Sequence, residues 1–232
     1  MISKISVVIP CYNEGENINT TYERISSNVS KISEHYELIF VDDGSIDNSF
    51  SKLYSLSKTD KKLKIIKLSR NFGHQNAIFA GLENSSGDCT FIIDADLQDP
   101  PELFSEMFSK WKDEGYQVVY GVRKKRKGNL LKRIFYSIYH KLFKLLSNLK
   151  NNEDLADFCL LDKKIKKHLI DLKEKNIYFR GLRSWVGFKQ FGIEYTRENR
   201  IIGSSKYSIF KLYNLAINGI TNFSTKPLTL IF

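Results

Sequence analysis

Asp94-Ala95-Asp96 places two carboxylates two residues apart at the end of a short apolar run, Thr90 to Ile93. In extended backbone, side chains at i and i+2 project to the same side. Two negative charges held this way repel unless a cation lies between them. A hard divalent ion with oxygen ligands, Mg²⁺ or Mn²⁺, suits that pair and keeps substrate phosphates in its shell. Asp94 and Asp96 are therefore candidate metal ligands, and Gln98 offers a neutral oxygen two residues on. The plainer alternative is a turn or a helix start; the position directly after a buried-type strand, with Asp99-Pro100-Pro101 next, favours the metal. Asp42-Asp43-Gly44-Ser45 ends another apolar run. A carboxylate there can accept hydrogen bonds from a nucleobase or ribose, but Asp, Gly and Ser also make ordinary turns. Composition does not separate those two readings. For His74, inside Asn71-Phe-Gly-His-Gln75, a structural histidine is the simpler reading and a place near the donor the alternative, and His35, His140 and His168 show no ligand spacing.

These residues need elements to position them. Ile5 to Ile9 is a β-branched run ended by Pro10, and Glu14 to Ser30 is periodic enough for a helix. Strands at Glu37–Val41, Lys64–Leu68, Thr90–Ile93 and Gln117–Val122 alternate with helices from about Asp47, at Gln75–Glu83 and after Pro101. Proline suits the first turn of that last helix. The alternation predicts an α/β fold with a mostly parallel, doubly wound sheet and right-handed crossovers. In such sheets ligands bind beyond the carboxyl ends of the strands, which singles out Tyr12 to Glu14, Asp42-Asp43 and Asp94 to Gln98. No GxGxxG follows the first strand, so the dinucleotide fingerprint is missing.

The formal charge is +10, and it is concentrated: ten basic and no acidic residues fall between Gly115 and Asn152, leaving 26 of each sign elsewhere. A local anion-binding surface is favoured over a uniform nucleic-acid coat. Leu130, Leu131, Ile134, Phe135, Ile138, Tyr139, Leu142, Phe143, Leu146 and Leu149 recur at helical spacing, with Lys132, Arg133, Lys141 and Lys144 largely off the stripe. A cationic amphipathic helix of this kind reads as lying in a membrane interface; an ordinary surface helix packed on the core is the alternative. Ile209 to Ile220 forms a second such segment, and the sequence stops inside an apolar run, Pro227 to Phe232. No stretch approaches the roughly 20 apolar residues that span a bilayer. Cys11, Cys89 and Cys159 are odd in number and lack metal spacing, so neither a disulfide framework nor a zinc site is expected, and a reduced compartment fits.

Taken in order, Ser6-Val-Val-Ile-Pro-Cys-Tyr-Asn-Glu14, Val41-Asp-Asp-Gly-Ser45, Ser69-Arg-Asn-Phe-Gly-His74, Asp94-Ala-Asp-Leu-Gln-Asp-Pro100 and Arg180-Gly-Leu-Arg-Ser-Trp-Val-Gly187 resemble the family 2 glycosyltransferases. Within them the resemblance is to the polyprenyl-phosphate branch, which includes dolichol-phosphate mannose synthase and bactoprenol glucosyltransferase. It runs from about Ile5 to Leu228. It implies a GT-A fold, a nucleotide-sugar donor, Mg²⁺ or Mn²⁺, and a lipid-phosphate acceptor. Pro10, Tyr12, Glu14 and Asp42 match the nucleoside pocket, and Asp94 the donor-binding aspartate. Asp96 and Gln98 match metal and diphosphate contacts. Arg123, Arg126 and Arg133 match residues near the acceptor phosphate, and Asp157-Phe158 an acidic element of the acceptor half. Arg200, with Gly203-Ser-Ser-Lys206-Tyr, matches a closing basic segment that can reach the diphosphate. One position departs: the residue after Asp157-Phe158 is usually arginine in the family and here is Cys159, so any contact of that arginine must come from elsewhere.

The expected division is a nucleotide-sugar-binding core over 1–122 and an acceptor half over 123–232 carrying the amphipathic helices, cut off before transmembrane helices. The expected activity is inverting, metal-dependent transfer of a hexose from a UDP-sugar to undecaprenyl phosphate at the cytoplasmic face of the bacterial inner membrane. Catalysis would involve Asp94, Asp96, Asp157, Arg123 and Arg200. GDP-mannose as donor or a non-lipid glycan acceptor is the alternative within the class. A non-enzymatic cationic binder of membrane or nucleic acid is the alternative outside it, and nucleic acid is not expected as a partner. The oligomeric state, including a homo-oligomer, is left open.

Overall fold

The computed structural model describes residues 4–124, 155–174 and 177–197. Its elements are β1 (Ile5–Cys11), α1 (Ile18–Ser30), β2 (Tyr36–Asp42), α2 (Ser49–Thr59), β3 (Leu63–Lys67), α3 (His74–Glu83), β4 (Cys89–Ile92), a 3₁₀ turn (Pro101–Leu103), α4 (Phe104–Lys112) and β5 (Val118–Arg123). After residues 124–154 come β6 (Leu155–Asp162), α5 (Lys163–Asp171), α6 (Phe179–Trp185) and β7 (Gln190–Tyr195). Among the described residues, no helix is long and apolar enough to cross a membrane. Arg126, Arg133, Arg200 and Lys206, and the amphipathic stretches at 130–149 and 209–220, lie outside the described residues.

Seven strands form one sheet in the order β3-β2-β1-β4-β6-β5-β7. The β3-β2-β1-β4 block is parallel, and so is β5 with β7. The difference from a wholly parallel sheet is β6, which runs antiparallel to both β4 and β5. The sheet thus takes strands from both sides of residue 123.

Helices cover both faces, which is why the inner strands are continuously apolar instead of alternating. Every residue of β1 is buried. One face packs Ile5, Val7, Phe40, Phe91 and Phe158 against Ile25, Leu53, Phe104 and Met107 of α1, α2 and α4. The other packs Val8, Ile39, Ile92 and Leu161 against Ile78, Ile165 and Leu182 of α3, α5 and α6. Successive residues of a strand therefore address different helix layers.

Pro10 is tolerated inside the central strand for a definite reason. The Val8 carbonyl accepts from Ile93 on the β4 side, and that of Cys11 from Asp43 on the β2 side. Pro10 alternates with Cys11 and so turns towards β4, whose pairing has already ended at Val8–Ile92. Its missing N–H costs no ladder bond. At the opposite edge of the sheet, buried Glu37 accepts from Ser6 Oγ, from Ser86 N and Oγ, and from Lys64 Nζ at 2.6–2.9 Å. Burial alone would raise its pKa, but Lys64 and these hydrogen bonds bring it down to about 2.

Candidate active site

The loops that follow β1, β2 and β3 are laced together at the carboxyl edge of the sheet. The backbone N–H groups of Asn13, Glu14 and Gly15 donate to Ser45 Oγ, Ser49 Oγ and Asp47 Oδ2 at 2.9–3.0 Å. Asn13 Oδ1 accepts from Ile46 N in return, with Asn13 in the left-handed region at φ 52°, which Asn tolerates. Asp43 receives the N–H groups of Phe72 and Gly73 at 2.7 and 2.9 Å. Gly44 must be glycine: its φ is +68°, and a Cβ there would lie 2.4 Å from the Arg70 carbonyl carbon. Within this frame Asp42 is fully buried. Its Oδ1 accepts from Ser45 N, and its Oδ2 has no partner among the described residues. An acceptor held in this state suits an N–H or O–H brought by a ligand. Tyr12 and Glu14 stand on the same loop edge, half-buried.

The segment after β4 is pinned from α1. The Ala95 carbonyl accepts from Thr21 Oγ1 at 3.0 Å, and that of Leu97 from Arg24 Nη1 at 3.4 Å, while Arg24 also grips Glu102. Buried Leu97 sits at φ 59°. A bulky residue there stores strain that the surroundings must over-determine, a condition found at functional sites. The strain fixes the backbone between Asp96 and Gln98, whose N–H donates to Asp96 Oδ1 at 3.2 Å.

Reversal of β6 brings its opening residues to the same edge, since Ile92 is paired with Cys159. Asp157 faces the α3/α6 layer. Arg180 of α6 holds it in a two-point grip at 2.8 and 2.9 Å. Burial would raise its pKa, but Arg180 and His74 hold it well below the usual carboxylate range. His74, at the start of α3, reaches Asp94 Oδ1 at 3.4 Å and Asp157 Oδ2 at 3.6 Å through Nε2. Burial opposes its charge; the two carboxylates outweigh burial and push its pKa up to about 9. Asp94 itself is pushed up to about 6, by burial first and by crowding against Asp99, Asp96 and Asp157, with His74 opposing.

On the other face, fully buried Asp99 accepts from the Tyr195 hydroxyl and lies 3.5 Å from Arg123 Nη2. Arg123 Nε donates to the Tyr195 oxygen at 3.1 Å. Arg197, just past β7, spans the group: Nη2 is 3.9 Å from Asp94 and 3.5 Å from Asp96, and Nε is 3.4 Å from Asp99.

The structure thus brings Asp94, Asp96, Asp157 and Arg123 into one locus beside the edge that carries Pro10, Tyr12, Glu14 and Asp42. Four participants carry no local sign of a site role. Arg180 lies inside a matched motif without an implied contact, Asp99 leads into a helix, and Tyr195 and Arg197 fall outside every matched motif. Arg197 has one visible signal: it lies three residues before Arg200, which opens the matched closing basic segment. Cys159 is buried, its thiol pushed up to about 11 by burial, and the Arg183 guanidinium of α6 lies beside it. Arg183 donates to the Ala156 carbonyl at 2.9 Å, so a guanidinium from another element occupies this neighbourhood. Trp185 is 60% exposed and outside the core.

A divalent ion fits the Asp94–Asp96 pair. The donors are all oxygen, Asp94 Oδ1 is buried without a hydrogen bond, and a cationic group already faces both carboxylates. Among the described residues no three His, Cys, Asp or Glu side chains form a complete cage.

Comparison with known proteins agrees with this geometry. Residues 6–169 match the model of glycosyl transferase family 2. The chain is 48% identical to the uncharacterized glycosyltransferase YkcC of Bacillus subtilis over 226 residues, covering 97% of this chain and 70% of that one. It is 38% identical to the prophage bactoprenol glucosyl transferase homolog of Escherichia coli, covering 97% and 74%. Among solved structures, glucosyl-3-phosphoglycerate synthase from Mycobacterium tuberculosis, in complex with Mn²⁺, UDP-glucose and phosphoglyceric acid, superposes with a TM-score of 0.60 at 20% identity, over 95% of this chain and 79% of that one. The fold is GT-A, and the chain belongs to glycosyl transferase family 2.

Proposed function

We propose that this glycosyltransferase moves a hexose from a UDP-sugar to a polyprenyl phosphate, undecaprenyl phosphate in a bacterial membrane, with inversion at the anomeric carbon. The observation that carries the reading is the meeting, at one sheet edge, of a paired-carboxylate segment with arginines able to meet phosphate. Asp94 and Asp96 follow β4, the sheet neighbour of β1 whose loop carries Tyr12 and Glu14, while Arg180, Arg123 and Asp157 stand nearby on α6, β5 and β6. The relative named as a bactoprenol glucosyl transferase homolog supports the acceptor.

A lipid monophosphate has its second pKa near 6, so at neutral pH its oxygen is already an anionic nucleophile. It attacks the anomeric carbon as the bond from that carbon to the diphosphate oxygen breaks, and the electron pair leaves with the nucleoside diphosphate. No proton has to be removed, so a strong general base is not required. Asp157 fits that economy. Gripped by Arg180, it stays ionised and weakly basic, suited to orienting a sugar hydroxyl or the acceptor. Asp42 accepts from the base or ribose, and Arg123 sits where it can meet acceptor phosphate. Asp94 and Asp96, with Gln98 adjacent, would hold Mg²⁺ or Mn²⁺, which when bound would supply charge neutralisation for the departing diphosphate. The reaction is placed at the cytoplasmic face of the membrane.

The test is a transfer assay with a panel of UDP- and GDP-sugars and a short polyprenyl phosphate, with Mn²⁺ or with chelator. Transfer from a UDP-hexose with inverted configuration is expected, with loss in chelator. Asp96→Asn should lower kcat on the order of 10²- to 10³-fold with an unchanged melting temperature. Transfer only from GDP-mannose would overturn the UDP assignment. No transfer with any donor, or retained configuration, would overturn the function as proposed.

A further inference from the structure

Four carboxylates, Asp94, Asp96, Asp99 and Asp157, converge on this edge and are interleaved with His74, Arg123, Arg180 and Arg197. The arginines do not hold their partners equally. Arg180 grips Asp157 at 2.8–2.9 Å through two parallel bonds. Arg197 touches three carboxylates at 3.4–3.9 Å, and its buried Nε makes no hydrogen bond among the described residues. A guanidinium so placed neutralises charge without being locked by geometry, because directional hydrogen bonds fall near 2.9 Å and interactions at these distances are weak.

We propose that Arg197 shares with His74 the neutralisation of the Asp94–Asp96 pair in the donor-free enzyme, as the counter-ion that reaches both carboxylates, and that it yields the pair to the divalent cation and turns its fork onto the donor's diphosphate. This rests on the nucleotide-sugar reading above. A divalent ion at carboxylate distance outcompetes a monovalent guanidinium held loosely. Displacing Arg197 with no anion present, however, would leave a partly buried arginine (22% exposed) with only Asp99, already shared with Arg123 and Tyr195, to meet its charge. A diphosphate removes that cost, since planar guanidinium matches phosphate oxygens in a bidentate way. Cation and nucleotide therefore bind with positive coupling, and by linkage each tightens the other by the same factor.

The test uses the whole chain and reads binding instead of turnover. Free Mn²⁺ is followed by electron paramagnetic resonance during titration, first without nucleotide and then with UDP. Wild-type protein is expected to bind Mn²⁺ weakly alone and at least tenfold more tightly with UDP. Arg197→Gln should bind Mn²⁺ alone several-fold more tightly than wild type, and most of the enhancement by UDP should disappear. Arg197→Lys keeps the charge but not the fork; it should leave Mn²⁺ affinity near wild type and still weaken UDP. The lysine variant decides the matter if the glutamine variant fails to fold. Nucleotide-free Mn²⁺ affinity that is unchanged or weaker in Arg197→Gln overturns the counter-ion role, and undiminished UDP enhancement in both variants overturns the transfer to diphosphate. If wild type binds Mn²⁺ but neither UDP nor GDP, the donor reading falls, while the Mn²⁺ comparison still decides the counter-ion role.

Discussion

At the scale of single residues, the chain handles buried charge in two ways. Glu37 is fully matched: its folded pKa of about 2 lies below its ordinary 4.5. The stability it contributes is therefore present above pH 4.5 and is lost as pH falls towards 2. Glu37→Gln should cost on the order of 2–3 kcal/mol at neutral pH. In urea titrations the gap between variant and wild type should close as pH approaches 2; a gap that persists there contradicts the pairing. The carboxylates of the candidate site are crowded instead: burial first, and then the neighbouring Asp99, Asp96 and Asp157, push Asp94 up to about 6. The sequence exposed Asp42, Asp94 and Asp96 as candidates because strand ends and i, i+2 spacing are local features. His74, Asp99, Tyr195 and Arg197 owe their roles to partners 20 to 103 residues away in the chain, and local pattern does not reveal which residues those partners are.

At the scale of elements, α3 does two jobs. Its face packs on β1 and β2, and its first residue aims His74 at Asp94 and Asp157. Gly81 permits the approach: a Cβ there would sit 2.3 Å from Val8 Cγ1 and 3.1 Å from Val41 Cγ2. Gly81→Ala should destabilise by about 1–3 kcal/mol, because overpacking outweighs the gain in helix propensity. Denaturant midpoints at unchanged m value would check this, and a more stable variant would refute the close packing. Strand-helix alternation up to β5 was readable to within a few residues, since buried apolar runs ended by Pro, Asp and Gly are strong punctuation. The reversed β6 was not. The stretch 156–161 buries apolar residues on both faces, with Asp157 the exception, and a strand's direction depends on neighbours that come much earlier in the chain.

At the scale of the whole molecule, the excess charge has two fates. Arg123 is tied to Asp99 and Tyr195 inside the site, whereas Lys124 next to it is exposed. Replacing Lys124, Lys125 and Lys127 with Gln should weaken binding to anionic vesicles by about 1 kcal/mol per charge, less at high salt. Arg123→Ala should lower turnover more than vesicle binding. Equal effects in sedimentation and transfer assays would reduce the segment to a membrane patch. The strand order has a further consequence for synthesis. A ribosome delivers β5 before either of its sheet neighbours, because β5 pairs only with the later β6 and β7. Until β6 emerges, β4 presents an open edge, and β5 has no ladder to join. The nascent chain can assemble β3-β2-β1-β4 with the nucleoside-side loops, but Asp157, Arg180 and Arg197 arrive last. Nucleotide recognition can therefore precede transfer competence on the ribosome, and the exposed β4 edge is the point at which an arrested chain is most vulnerable to mispairing.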